Sequence, residues 1–115
     1  MRAELRSLDY FKSDLSSFEG ETFCVNVTAT IGAVGERGGD DFNFEVCSPA
    51  WLRSALETEE VVSGQYRLIM AEFDFPALEQ FVTKRVGQTE GPDWDSIAKK
   101  LATWGRWEFE GMTQR

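Results

Sequence analysis

From Phe23 onward the odd-numbered positions are apolar, Phe23, Val25, Val27, Ala29 and Ile31, with Asn26, Thr28 and Thr30 standing between them. A period of two sends alternate side chains to opposite faces, so residues 23–31 predict a long strand buried on one side. The rhythm returns at Phe42, Phe44 and Val46, which alternate with Asn43, Glu45 and Cys47. Between the two runs, Glu36-Arg37-Gly38-Gly39-Asp40 has the composition of a turn, and together they predict an antiparallel hairpin. Within FNFEVCSPAWL, residues 42–52, the period then changes. Trp51, Leu52, Ala55 and Leu56 fall at helical spacing, Ser48 is placed to cap the helix, and Pro49 at its first position gives up only an amide that would have had no partner.

Upstream, residues 3–8 predict a first strand, followed by an irregular connection through Ser13-Asp14 and Ser16-Ser17. After the helix at Pro49, Gly64 precedes Tyr66, Leu68, Met70 and Phe73, whose looser alternation predicts a third sheet strand. Asp74 and Pro76 open a second helix with Leu78, Phe81, Val82 and Val86 on one stripe. A third begins near Pro92-Asp93. There Trp94, Ile97, Ala98 and Leu101 recur at helical spacing, with Asp93 and Asp95 near the positive end and Lys99 and Lys100 toward the negative end. Gly105 stops it, because glycine accepts the left-handed backbone that commonly closes a helix. Arg106-Trp107-Glu108-Phe109-Glu110 alternates once more and predicts the last strand. No repeat or composition shift marks a linker. Order and period together predict a single α+β domain over residues 1–115, a mostly antiparallel sheet of four to five strands with two to three helices packed on one face.

In that arrangement Phe42, Phe44, Trp107 and Phe109 pack under the helices, and Trp51, Trp94 and Trp104 join Trp107 in the core. Tyr10, Phe11 and Phe18, in the least regular segment, are expected to form satellite core. The opposite sheet face displays Glu45, Glu108 and Glu110 beside Asn26, Asn43, Thr28 and Thr30. It is polar with an acidic bias, and neither later helix needs it for packing.

Twelve basic and twenty acidic side chains give a net charge of −8, with no histidine to adjust it near neutral pH. Such a surface repels phosphate backbones, so nucleic acid is disfavoured as a partner and a basic protein is favoured. The 42% hydrophobic and 13% aromatic composition supports a folded core rather than a disordered tail. MRAELRSLDY carries Arg2, Glu4 and Arg6 without an apolar run, so it is not read as a secretory signal, and no stretch approaches the ~18 apolar residues of a membrane span. A cytoplasmic location is expected.

Cys24 and Cys47 are then expected to be reduced thiols. The turn placement suggests strand partners whose numbers sum to about 75, which sets Cys47 opposite Thr28. Two thiols so separated make a poor zinc site, and no cofactor or metal is expected. The carboxylate pairs Glu108 with Glu110 and Glu72 with Asp74 are of the kind used in glycoside hydrolysis, but nothing in the sequence accompanies them. Catalysis is therefore not expected. An acidic regulatory or adaptor module is the alternative to the function given below, and a small carboxylate-dependent hydrolase ranks below it.

MRAELRSL at the start, FNFEVCSPAWL in the middle and GRWEFE near the end resemble the immunity protein 8 family of bacterial polymorphic toxin and contact-dependent inhibition systems. The resemblance runs in the same order along nearly the whole chain and is most specific in the middle segment. It is weakest over residues 9–22. Ser48 stands where threonine is more frequent, and either hydroxyl caps a helix. The resemblance implies a small cytosolic protein that binds the toxin domain of its own lineage and blocks it. Many such toxins are nucleases with basic clefts, which an acidic inhibitor can approach by electrostatic steering. The candidate toxin-binding residues are Glu45, Glu108, Glu110 and Asn43 on the sheet face, with Glu57, Glu59 and Glu60 in the acidic stretch after the first helix.

Overall fold

The computed structural model describes residues 1–16 and 21–110. Along the chain run β1 (Ala3–Tyr10), α1 (Lys12–Ser16), β2 (Cys24–Ala33), β3 (Asp40–Cys47), α2 (Pro49–Leu56), β4 (Arg67–Ile69), α3 (Phe75–Gly87), α4 (Trp94–Leu101) and β5 (Arg106–Trp107). The fold is the α+β arrangement that the alternation predicts. Sheet order is β1-β2-β3-β4, with β5 also on β3. β2 lies antiparallel to both β1 and β3, and β5 is antiparallel to β3. β4 is the parallel member, reached from β3 by a crossover through α2.

The period-two positions of β2 and β3 face inward as expected. Val25, Val27, Ala29, Ile31, Phe42, Phe44 and Val46 are buried, and Leu78, Val82 and Val86 of α3 and Ile97, Ala98 and Leu101 of α4 close over them. Burying a ring such as Phe42 contributes about 1.5–3 kcal/mol before entropy is subtracted. All three predicted helix starts are capped. Ser48 Oγ accepts from Trp51 N–H at 3.1 Å, Asp74 Oδ1 from Ala77 N–H at 3.1 Å and Asp93 Oδ1 from Ser96 N–H at 2.8 Å.

The hairpin register differs from the expectation. Cys24 faces Cys47, and Thr28 faces Asn43 rather than Cys47. The loop is asymmetric: Gly32 and Ala33 continue β2 beyond its last β3 partner, Ile31, and pair with Glu4 and Ala3 of β1. Because the displacement is an even number of residues, every side chain keeps its predicted face. A bulge in β1 between Leu5 and Ser7 frees Arg6 to turn onto this loop. Its guanidinium donates to Ala33 O at 2.7 Å, to Gly38 O at 3.3 Å and to Glu36 O.

Several ends are shorter or less buried than the pattern suggests. β5 stops at Trp107, and the turn formed when Glu110 N–H bonds Trp107 O leaves Phe109 39% exposed instead of under the helices. The strand expected from Tyr66 onward contracts to Arg67–Ile69. Phe81 is 52% exposed, outside the buried stripe of α3, and α2 buries none of its residues, so Leu56 is exposed too. Gly105 does not adopt a left-handed backbone: Ala102 ends α4 in a right-handed conformation. What position 105 requires is closeness, since a Cβ there would meet Phe42 Cβ at 3.1 Å.

Of the tryptophans, Trp104 is buried, Trp94 and Trp107 are half-buried against the core, and Trp51 is half-buried outside it. Tyr10 does form satellite core, with its ring 4.9 Å from Phe73 and 5.1 Å from Phe75, whereas Phe11 is exposed. The connection after β1 contains α1. Ser17 and Phe18 lie outside the described residues.

Candidate functional site

Two short strands share one edge of β3. β5 stands opposite Phe42 and Asn43, and β4 opposite Glu45, Val46 and Cys47. At the junction Tyr66 C=O accepts from Glu45 N–H at 2.8 Å, and Tyr66 itself has φ 62°, a left-handed conformation uncommon for a residue with a Cβ. Such backbone persists only where its surroundings hold it, and it concentrates at functional sites.

On the open face beside this junction lies a hollow of about 250 Å³ lined by Asn26, Asn43, Phe44, Glu45, Gln65, Tyr66, Arg67 and Arg106. Register accounts for the set. Glu45 sits opposite Asn26 on β2 and Arg67 on β4, while Asn43 sits opposite Arg106 on β5. Arg67 Nε bonds Glu45 Oε1 at 2.8 Å, the Arg67 guanidinium lies 5.5 Å from the Trp51 ring, and Arg106 covers the Tyr66 ring at 4.7 Å. Partial burial pulls the Arg67 pKa down, but the Glu45 bond and charge outweigh it and hold it above its ordinary value. Tyr66 OH donates to Glu110 Oε1 at 3.2 Å, and lost hydration together with that carboxylate raises the phenol's pKa.

The hollow therefore brings together Asn43 and Glu45, with Glu110 at its rim through Tyr66. It does not include Glu108, whose Oε2 accepts from Asp41 N–H at 2.7 Å and so fastens the chain end to β3. Nor are Glu108 and Glu110 on a common strand, because β5 ends before both. Glu57, Glu59 and Glu60 follow α2, are all exposed and have no side-chain partner among the described residues. The open face is less acidic than expected, since Arg67 and Arg106 stand among its carboxylates. It presents hydrogen-bond donors and acceptors of both signs.

Sequence reasoning missed Tyr66, Arg67 and Arg106. Arg106 had a signal, since it precedes Trp107 in an alternating run and so shares the outer face. Tyr66 and Arg67 had none, because their place depends on the parallel return of β4. Asp40 was missed as well: its Oδ2 accepts the indole N–H of Trp94 at 2.8 Å and of Trp107 at 2.9 Å.

The corrected register also makes neighbours of the cysteines. Both are free thiols, with sulfurs 3.1 Å apart. The two thiols share a hydrogen bond, which raises the Cys24 pKa and lowers that of Cys47. Together with Glu45 they place possible metal-ligating atoms within 4.8 Å of one another. The Arg67 guanidinium already occupies Glu45 and opposes a cation there, so the fit is poor. Among the described residues no helix is long and apolar enough to cross a membrane.

No curated protein and no solved structure matches the chain. The sequence profile of the immunity protein 8 family matches residues 3–112. That match takes in every strand and helix described above, from β1 through β5, and so the chain belongs to the immunity protein 8 family and is an immunity protein against a toxin.

Proposed function

We propose that this protein acts in the cytoplasm as the non-catalytic inhibitor of one cognate toxin domain, a basic nuclease of a polymorphic toxin or contact-dependent inhibition system. The family match carries the immunity function, and the exposed Glu57, Glu59 and Glu60, free of side-chain partners among the described residues, support an acidic approach to a basic surface. With a net charge of −8 the whole molecule attracts such a partner over a distance of about a Debye length, while affinity must come from a desolvated contact. The hollow around Tyr66 is suited to that contact because its groups are already held: Glu45 by Arg67, Tyr66 by Glu110 and Arg106, and Asn43 Oδ1 by Thr28 Oγ1 at 2.6 Å. Groups ordered before binding lose less entropy on binding.

The test screens candidate toxin domains drawn from the genes flanking this protein's own, with toxicity rescue and binding kinetics as readouts. Co-expression of the wild-type protein should restore growth. Arg106→Glu, an exposed change in the hollow, should speed dissociation from the toxin domain at least tenfold while leaving the fold intact. If growth is not rescued by the wild type, toxin neutralisation is rejected. Rescue with unaltered dissociation in the variant rejects only the hollow as the contact.

A further inference from the structure

β4 forms an edge of the sheet beyond Glu45–Cys47, and no strand among the described residues pairs with its outer side. In the parallel ladder Tyr66 C=O is bonded to Glu45 N–H and Met70 N–H donates to Cys47 O at 3.0 Å. That alternation turns the N–H and C=O of Ile69 away from β3. Exposed edges are usually guarded by a charged side chain, a proline or a bulge. Ile69 has none of these. It is 50% exposed and borders an apolar cleft of about 380 Å³ lined by Leu68, Ile69, Met70, Ala77, Leu78 and Phe81.

Phe81 has a free side in this cleft, which accounts for its absence from the buried stripe of α3. A neighbouring hollow continues past Ile69 to Glu72 and Asp74, and no lysine or arginine lines either space. An open backbone pair and an apolar cleft beside it are the two parts of a site for strand addition, and the acidic end beyond them favours a basic segment.

We propose that the edge of β4 receives an extended segment of the cognate toxin domain. The segment pairs its backbone with Ile69, places an apolar side chain against Phe81 and sets a lysine or arginine near Glu72 and Asp74. Charge favours this occupant over a second copy of the chain, which would bring another −8 and another Glu72 and Asp74 to the same place. The edge adjoins the Tyr66 hollow through Arg67, so one toxin domain can cover both. The inference rests on toxin binding and adds to it a second contact with its own signature.

Hydrogen exchange at the Ile69 amide separates the possibilities, measured on the whole protein alone and with a catalytically inactive form of the toxin domain that it neutralises. The complex should slow exchange at Ile69 at least tenfold. Ile69→Pro removes the outward N–H without touching the bonds to β3, and Phe81→Lys removes an exposed ring. Each should weaken binding tenfold or more with the unfolding midpoint of the free protein little changed, while Ile69→Thr, which keeps the N–H, should bind more tightly than Ile69→Pro. A tight complex with Ile69 still exchanging freely and both variants binding as the wild type overturns the strand-addition contact and leaves toxin binding in place. Protection of Ile69 that grows with protein concentration in the absence of toxin overturns it in favour of self-association. Absence of any toxin binding by the wild type rejects the parent function and this contact together.

Discussion

Ser48 shows how much one hydroxyl can join. It is fully buried, and its Oγ accepts both from Trp51 N–H, capping α2, and from Phe23 N–H at 3.1 Å, tying the start of β2 to the end of β3. Ser48→Ala removes the cap and leaves a buried amide without its partner, so urea denaturation should show a loss of about 2–4 kcal/mol. Ser48→Thr keeps the oxygen and should cost far less. The cysteines make the other prediction at this scale. Although Cys24 and Cys47 touch, both should react with a thiol reagent after unfolding without reductant, because in the cytoplasmic location proposed above such pairs stay thiols. A mass lower by two hydrogens in the untreated protein is the contrary result.

Among the elements, β3 pairs with more strands than any other. It has β2 on one side and β4 and β5 end to end on the other, and its inner face carries the most enclosed rings. Phe44 is 3% exposed and packs edge-on to Trp104 at 5.7 Å, so Phe44→Ala should destabilise by about 3–5 kcal/mol. Trp107 on β5 is only half-buried, stacking on Phe42 at 6.4 Å with its indole N–H on Asp40. Trp107→Ala should therefore cost less than Phe44→Ala, despite removing a larger ring. Thermal unfolding of the two variants side by side gives the order, and the reverse order contradicts the packing described.

For the whole molecule, charge governs the approach to a partner and burial governs what stays bound. Replacing Glu57, Glu59 and Glu60 by lysine alters exposed side chains that have no partner among the described residues, so folding should change by no more than about 1 kcal/mol. Association with a basic toxin domain should slow, and its salt dependence should flatten, as measured by stopped-flow mixing across ionic strengths. Glu45 behaves differently, because Arg67 depends on it. Glu45→Lys leaves the Arg67 guanidinium beside a like charge in a part-buried setting and should lower stability as well as binding. An unchanged association rate in the triple lysine variant points away from this acidic stretch as the steering surface.

The alternation at 23–31 and 42–47 determined the hairpin and which of its faces is buried, because a strand's period of two is local and survives an even register error. Caps at Ser48, Asp74 and Asp93 likewise placed three helix starts, since a cap acts within three residues of itself. The FNFEVCSPAWL segment, with its companions near each end, was enough to suggest the family. The register that sets Cys24 against Cys47 was a tertiary decision, taken when β1 claimed Gly32 and Ala33 for its own pairing. So was the hollow, since Tyr66, Arg67 and Arg106 meet Asn43 and Glu45 only because β4 returns parallel to β3 and β5 ends beside it. Contacts between residues more than twenty positions apart depend on how whole elements pack, and that packing leaves no periodic mark in the chain.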